Sequence, residues 1–289
     1  MSKVGLVTSL VLAGLATAPP AGAVLVGQFD AGLKGIKRYG AYTVVASGRV
    51  YETSGQPSPL LRSAVIHFPR GAALRRQFLV PRFFCDGAKL QKDPNPALCA
   101  RAHFATGEMR IDARPAIEDA FGVSVDLFLA SGRENGATAA VVVLVRSNDK
   151  TPVYDYEVLR GYLFKEPTPG KRFGYRLELP THLTPYLPNI KLRLAEFQLR
   201  MRGLTLTKRV RGCVERARAS GRCLKQGTKA RRVFWIRTPN CPRSRKVSFG
   251  ADYAFEGTSP ISKRRSVSCR RFLKQRTLHR GGNVPGAPR

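Results

Sequence analysis

The feature that most constrains the fold of this chain is a strict alternation of apolar and polar side chains near its C-terminal end. Every second position from 247 to 255 is apolar, occupied by Val247, Phe249, Ala251, Tyr253 and Phe255. A period of two is that of an extended strand with one apolar and one polar face. Such a strand belongs to an antiparallel sheet that packs on one side and meets water on the other. The alternation therefore predicts an all-β fold.

Similar patterns recur along the chain. Further strands are predicted at 42–50, 63–68, 108–114, 154–164 and 173–179. In the last of these, Phe173, Tyr175, Leu177 and Leu179 are expected to point inward. Residues 123–129 and 139–145 predict a hairpin, because a Gly-containing turn separates two strand-like runs. The run 141–145 is apolar on both faces, so we place it at the centre of the sheet.

Three segments depart from simple alternation. Between 190 and 201 the apolar residues change from even to odd positions, which predicts a β-bulge near Ala195 and Glu196. The glycine-rich segment 27–40 is expected to be irregular. Residues 115–120 are expected to form one helical turn, the sole helix-like segment of the sequence. Together the patterns predict a single antiparallel β-sandwich over residues 24–269, either jelly-roll-like or immunoglobulin-like.

The N-terminus has the features of an export signal. Lys3 precedes an apolar run from about 4 to 16, and a small-residue site at 21–23 predicts cleavage after Ala23. A membrane anchor is the rival interpretation, but the run is shorter than the ~20 residues that span a bilayer. Residues 1–23 are therefore expected to be a signal peptide, and the protein to be secreted or attached to the cell surface without a transmembrane anchor.

The six cysteines favour disulfides in an oxidising compartment. Proximity in sequence favours the pairs Cys85–Cys99, Cys213–Cys223 and Cys241–Cys269. A bridge over a loop of about 15 residues stabilises the fold by roughly 3 kcal/mol in the chain-entropy model. Zinc is disfavoured, since no Cys-x-x-Cys occurs and the four histidines are not in ligand spacing with the cysteines. We expect no metal and no cofactor.

The chain is strongly basic, with a formal net charge of +31. Fourteen lysines and arginines lie between positions 208 and 246, against one acid, Glu215. Residues 207–232 are predicted to form a disulfide-cinched basic insertion, and 270–289 a disordered basic tail. The residues expected to bind polyanions are Lys208, Arg209, Arg211, Arg216, Arg218, Arg222, Lys225, Lys229, Arg231, Arg232, Arg270, Arg271 and Lys274. Anionic cell-wall polymers, anionic lipid surfaces and extracellular nucleic acid are the candidate partners; a composition bias toward arginine is the alternative explanation.

No catalytic motif is present in the sequence. A Gly-x-Ser-x-Gly elbow and a phosphate-binding glycine loop are both missing. Glu108, Asp112 and Asp126 lie on predicted neighbouring strands and are the candidate carboxylates for sugar hydrolysis, although their alternation with arginines favours ion pairs. His67, on the outer side of its strand, is expected to be a structural histidine.

Several of these units occur together in known proteins. The cysteine-bracketed loop 85–99, the strand 173–177, the segment 195–199 and the final unit from Cys241-Pro242 to Cys269 resemble a group of exported proteins of high-GC Gram-positive bacteria. Here Arg70 interrupts their Pro-Gly turn, and Ala100 stands where proline is usual. The resemblance covers about residues 63–269 and implies a secreted β-sandwich without an established activity.

The leading hypothesis is a non-enzymatic exported protein of the cell envelope that binds anionic polymers through its basic segments. Two alternatives come from other functional classes. A carbohydrate-active enzyme requires two carboxylates about 5 to 10 Å apart in a cleft. A carrier of apolar ligands such as lipids requires an apolar cavity of about several hundred Å³.

Overall fold

The computed structural model describes residues 24–37, 41–132, 134–148, 153–166, 173–185, 187, 189–202, 204–216, 220, 223–234, 236–237, 244 and 246–268. Within them the protein is nearly all antiparallel sheet, which confirms the predicted all-β class. Outside the described residues lie residues 1–23, which are expected to be a signal peptide cleaved after Ala23, and also Trp235, Cys241, Cys269 and the tail 270–289.

The described strands follow one another along the chain with few helical interruptions. They are β1 (Leu25–Lys37), β2 (Ala41–Glu52), β3 (Leu61–Pro69), β4 (Ala73–Leu74), β5 (His103–Asp112), β6 (Phe121–Ala130), β7 (Ala139–Ser147), β8 (Tyr156–Lys165), β9 (Phe173–Leu179), β10 (Arg193–Met201), β11 (Thr205–Arg216), β12 (Cys223–Phe234), β13 (Ile236–Arg237), β14 (Lys246–Phe255) and β15 (Ile261–Ser268). A short helix, α1 (Gly87–Lys92), and 3-10 turns at Arg76–Phe78, Pro81–Phe83, Pro96–Cys99 and Glu134–Gly136 complete the set.

Eleven strands form one sheet in the order β1-β2-β10-β5-β6-β7-β8-β9-β3-β14-β15. The predicted central strand is its middle member, β7, which confirms the interpretation of the doubly apolar run. Val141, Val143 and Val145 face the main core. Val142 and Leu144 face outward beneath the loop that carries α1, where they form a second, smaller core. Both faces of β7 are therefore shielded from water.

The sheet is nearly closed, so its apolar inner face lies opposite itself across the core. The two facing layers are therefore parts of one hydrogen-bonded sheet. All neighbouring pairs are antiparallel, and with eleven strands this makes the two edge strands, β1 and β15, run in the same direction. Side chains join these edges. A Cβ placed on Gly27 would lie 3.1 Å from Cγ2 of Ile261, and Asp30 Oδ1 lies 2.9 Å from Arg265 Nε.

Several details of the sequence interpretation are confirmed. The five alternating residues of β14 are all buried, between 0% and 6% exposed. The pairing of β10 with β5 shifts between Leu194 and Glu196, which is the predicted bulge. The predicted hairpin is the pair β6 and β7. The disulfides Cys85–Cys99 and Cys213–Cys223 are both present.

Other expectations were wrong. The segment expected to be irregular is β1, whose glycine at position 27 leaves room for Ile261. Residues 115–120 form turns, and the helix is α1, where the Asp86 side chain accepts a hydrogen bond from Ala88 N at 3.1 Å and caps the first turn. Phe173 does not point inward. The pairing of β3 with β9 skips Gly174, and this bulge turns Phe173 onto the outer face.

Gly48 of β2 lies where side chains from two other strands meet beneath the seam between β1 and β15. A Cβ at this position would lie 2.6 Å from the Tyr253 hydroxyl and would also collide with the Phe197 ring. We therefore expect Gly48→Ala to destabilise the protein by about 1–3 kcal/mol through overpacking. Chemical denaturation measures this change. Gly32→Ala on β1 is the control, because nothing lies within 4 Å of its added Cβ; equal stability of the two variants would contradict the packing.

Candidate functional site

The predicted basic insertion is a two-stranded sheet, β11 and β12, separate from the large sheet. Cys213 and Cys223 join the strands near their connecting turn. Eight of the predicted polyanion-binding residues lie on its strands: Lys208, Arg209, Arg211, Arg216, Lys225, Lys229, Arg231 and Arg232. The other five, Arg218, Arg222, Arg270, Arg271 and Lys274, lie outside the described residues. We call residues 205–234 the basic hairpin.

The backbone register of the basic hairpin contains one pair of like charges and one pair of opposite charges. Lys208 is the Cα partner of Arg231, whereas Lys225 is the partner of the acid Glu215. Like charges directly opposite on a sheet are mutually destabilising. The hairpin contains a single acid, Glu215, so its lysines and arginines far outnumber its acids.

A short strand pair connects the basic hairpin to a second basic region. β13, which follows the hairpin in the chain, pairs with β4, so that Arg237 is opposite Ala73. Immediately after β4 comes the segment that carries α1 and the Cys85–Cys99 disulfide. We call residues 70–102 the disulfide lobe. The β4 and β13 pair therefore brings the base of the basic hairpin to the start of this lobe.

The disulfide lobe exposes seven cations against two acids, Asp86 and Asp93. The cations are Arg70, Arg75, Arg76, Arg82, Lys89, Lys92 and Arg101. Asp86 is already engaged as the cap of α1. The sequence interpretation missed this second basic surface because it looked for long runs of charge, whereas these cations are spaced among apolar residues. A charge count over the lobe would have found it.

An open groove of about 710 Å³ lies between the lobe and the outer face of the sheet. Ala130, Val142 and Val158 lie on the sheet side of the groove, while Phe84 and Ala88 belong to the lobe. The sheet side is apolar because β7 carries apolar residues on both faces. The groove thus places an apolar surface beside exposed cations.

Arg160 also lines this groove, and it is held in place by several polar contacts. One of its terminal nitrogens, Nη2, lies 2.8 Å from Glu134 Oε1 and donates to the Ser131 carbonyl at 3.1 Å. The second Glu134 oxygen accepts a hydrogen bond from the Tyr162 hydroxyl at 2.7 Å. Arg160 therefore lines the groove with its charge already paired with Glu134.

A separate polar cluster surrounds His67 on the outer face of β3. Its Nε2 lies 2.6 Å from Asp252 Oδ2, and its Nδ1 lies 3.1 Å from Glu166 Oε1. Phe173 stacks on the imidazole with ring centroids 4.8 Å apart. The glycine at position 250 leaves room for the Phe173 ring, because a Cβ there would lie 2.9 Å from that ring. The hydrogen bonds agree with the expected structural role of His67, and their partners come from distant parts of the chain.

Asp252 is held as a carboxylate in this cluster. Burial alone would raise its pKa, but hydrogen bonds from Arg264, Ser262 and His67 outweigh burial and lower the pKa below its usual value. Both ring nitrogens of His67 face carboxylates, so neither is free to act as a general base. Among the described residues, no group of three or more histidine, cysteine or acidic side chains is arranged to hold a metal ion. The cluster therefore has the properties of a structural tie between strands.

The three carboxylates considered for sugar hydrolysis do not form an acid and base pair suited to that chemistry. Asp112 is buried and bonded to Arg114, with its Oδ2 at 2.7 Å from Nη2. Burial would raise the pKa of Asp112, but Arg114 and the charge of Arg193 lower it below its usual value, whereas a general acid needs a raised pKa. Asp126 lies 2.9 Å from Arg146, and Glu108 is exposed.

The interior of the sheet contains an apolar cavity of about 60 Å³. It is far smaller than the several hundred Å³ expected of a lipid carrier. Tyr253 lines it, and the buried Tyr253 hydroxyl has no hydrogen-bond partner among the described residues. Burial, and to a smaller extent the charge of Asp252, raises the pKa of this phenol. The interior is therefore mainly a packed core.

Comparison of the chain with protein-family models, curated proteins and solved structures gives no match. The structure itself defines an all-β protein, stapled by disulfides, with basic segments on the outside of a nearly closed sheet. In the described part of the chain, no helix has the length and apolar character needed to cross a membrane.

Asp252 gives a test of the polar cluster. Asp252→Asn should destabilise the protein by about 1–3 kcal/mol at neutral pH, because a half-buried carboxylate loses its charged hydrogen bonds to His67, Ser262 and Arg264. Because the folded-state pKa of Asp252 is lowered, its contribution is present above its unfolded pKa and is lost as the pH falls through the folded pKa. Denaturation at pH 7 and at about pH 3 should therefore show a smaller difference between variant and wild type at the lower pH.

The matched control is Glu256→Gln, which removes an exposed pair with Arg62 whose side chains are 50% and 67% accessible. It should change stability by less than about 1 kcal/mol. An Asp252→Asn deficit that is the same at both pH values would contradict a role for the carboxylate charge.

Proposed function

We propose that this protein is a non-enzymatic, exported protein of the cell envelope that binds anionic partners through the basic hairpin and the disulfide lobe. The N-terminal pattern of an export signal supports the location, as do the two disulfides, which are typical of an oxidising compartment. The observation that carries the proposal is the placement of two basic segments next to each other by the β4 and β13 pair.

The charge balance of the remaining surface supports a dedicated interface. On the large sheet, arginines such as Arg62, Arg114 and Arg146 are paired with acids at 2.7–3.3 Å. On the disulfide lobe, the seven exposed cations form no ion pair with the acids of the described residues. The large sheet also has exposed cations without an ion pair among the described residues, such as Arg200 and Lys263, so the distinctive property of the lobe is its local excess of seven cations over two acids. Clustered cations that are not paired with acids attract polyanions over a longer range than paired cations do.

Heparin chromatography tests the proposal. A hairpin variant in which Arg216, Arg218, Arg222, Arg231 and Arg232 are replaced by Gln should elute at clearly lower salt than the wild-type protein, because fewer counterions are exchanged on binding. The control variant carries the same change of charge at exposed positions of the large sheet, Arg49, Arg62, Arg110, Arg200 and Lys263. It should elute close to the wild type.

Equal shifts for the two variants would show that net charge alone causes retention and would refute the proposed interface. Circular dichroism verifies that both variants keep their strand content, and thiol titration before and after reduction verifies that they keep their disulfides. The Cys213–Cys223 bridge keeps the hairpin strands joined while its charges are removed.

A further inference from the structure

The groove beside the disulfide lobe narrows the chemistry of the ligand. The groove combines an apolar surface with nearby cations that form no ion pair among the described residues. A polyanion would need only the cations. Its volume of about 710 Å³ lies in the range of small-molecule sites, about 300–1,000 Å³. Nucleic acids and wall phosphate polymers offer charge but no extended apolar part.

We propose that this groove binds an acyl chain of an anionic lipid, with the head group held by cations of the disulfide lobe; the inference rests on the proposed function. Val142 and Val158 give the apolar contact on the sheet side, and Phe84 gives it on the lobe side. Arg82 and Lys92 follow the groove-lining residues Pro81 and Gln91 in the chain, and both are exposed. The lobe that borders the groove has seven exposed cations against two acids, so its net positive charge favours an anionic head group.

The charge around the groove selects an anionic amphiphile over a neutral one. Of the two acids beside the groove, Glu134 is paired with Arg160, whereas Asp86 accepts a backbone hydrogen bond, keeps its charge and is outnumbered by the cations of the lobe. Arg82 and Lys92 have no ion pair among the described residues. The side chain of Leu98, on the same lobe, is among the exposed large hydrophobic residues at 49%. An exposed leucine among cations is a combination typical of surfaces that meet the head-group and acyl boundary of a membrane.

A substitution at Ala88 can close the groove without disturbing the core. Ala88 is exposed and lines the groove from α1, so that Ala88→Trp fills the space with a large side chain. Ala97 lies on the same lobe, in the 3-10 turn Pro96–Cys99; it is also exposed and does not line the groove. Ala97→Trp is therefore a matched control for the effect of an added indole.

The experiment measures binding of a fluorescent monoacyl phosphatidylglycerol below its micelle concentration to the full mature protein with intact disulfides. Ala88→Trp should weaken binding about tenfold or more, since the indole keeps acyl methylenes out of the groove and their burial is lost. Ala97→Trp should bind as the wild type does. The same acyl chain on a phosphocholine head group should bind more weakly, and glycerol 3-phosphate should not compete.

Three results would overturn the inference: equal affinity of Ala88→Trp and Ala97→Trp, equal affinity for the two head groups, or competition by glycerol 3-phosphate at the concentration of the lipid. Heparin elution of Ala88→Trp separates this inference from the proposed function. Unchanged heparin elution with unchanged lipid binding refutes only the lipid groove. If the wild-type protein binds neither heparin nor the anionic lipid, the proposed function itself is wrong.

Discussion

The burial of inward side chains inside one nearly closed sheet is the constraint on which the rest of this structure depends. Each of the eleven strands of this sheet contributes apolar residues to a common interior. Closure shields that interior and leaves few exposed edges. Because the number of strands is odd, the two edges run parallel and meet through side chains. Ile261 packs against Gly27, and Asp30 pairs with Arg265. Tyr253 and Phe197 pack together beneath this seam.

Since the interior is mainly a packed core, we place the proposed binding on the outer surface. The outer face of β7 is apolar, and the disulfide lobe covers most of it, with the Cys85–Cys99 bridge buried between lobe and sheet. The uncovered margin is the groove. The basic hairpin reaches the same lobe through β4 and β13. Strand β7 is apolar on both faces and must be buried on both. Its burial by the disulfide lobe also creates the groove from which we infer ligand binding.

Much of the fold could be predicted from the sequence, because alternation is a local property of the chain. The buried face of β14, the hairpin of β6 and β7 and the bulge at Ala195 all follow from the spacing of a few neighbouring residues. Closure could not be predicted, because it depends on which strands meet at the ends. For the same reason β1 was misread: its glycines resemble a loop until Ile261 is known to lie against one of them.

The candidate site was only partly predictable. The charge run of the basic hairpin is visible in the sequence and its disulfide was predicted, but its two strands were not. The partners of His67 come from positions 166 and 252, and the groove combines residues near 88, 142 and 158. No spacing in the sequence encodes these encounters, since they are set by the order of strands in the sheet. The turned Phe173 was missed because one bulge at Gly174 reverses the face of a strand.

The most direct test of the closed sheet is a disulfide across its seam. A Cβ at position 27 would lie 3.7 Å from the Cβ of Ile261, within the ~3.5–4.5 Å that disulfides require. The double variant Gly27→Cys and Ile261→Cys should therefore oxidise to an intramolecular bridge, detected by peptide mapping under non-reducing conditions. Gly32→Cys with Ile261→Cys, displaced along β1, should not form the bridge. Free thiols at positions 27 and 261 under the same oxidising conditions would contradict closure of the sheet.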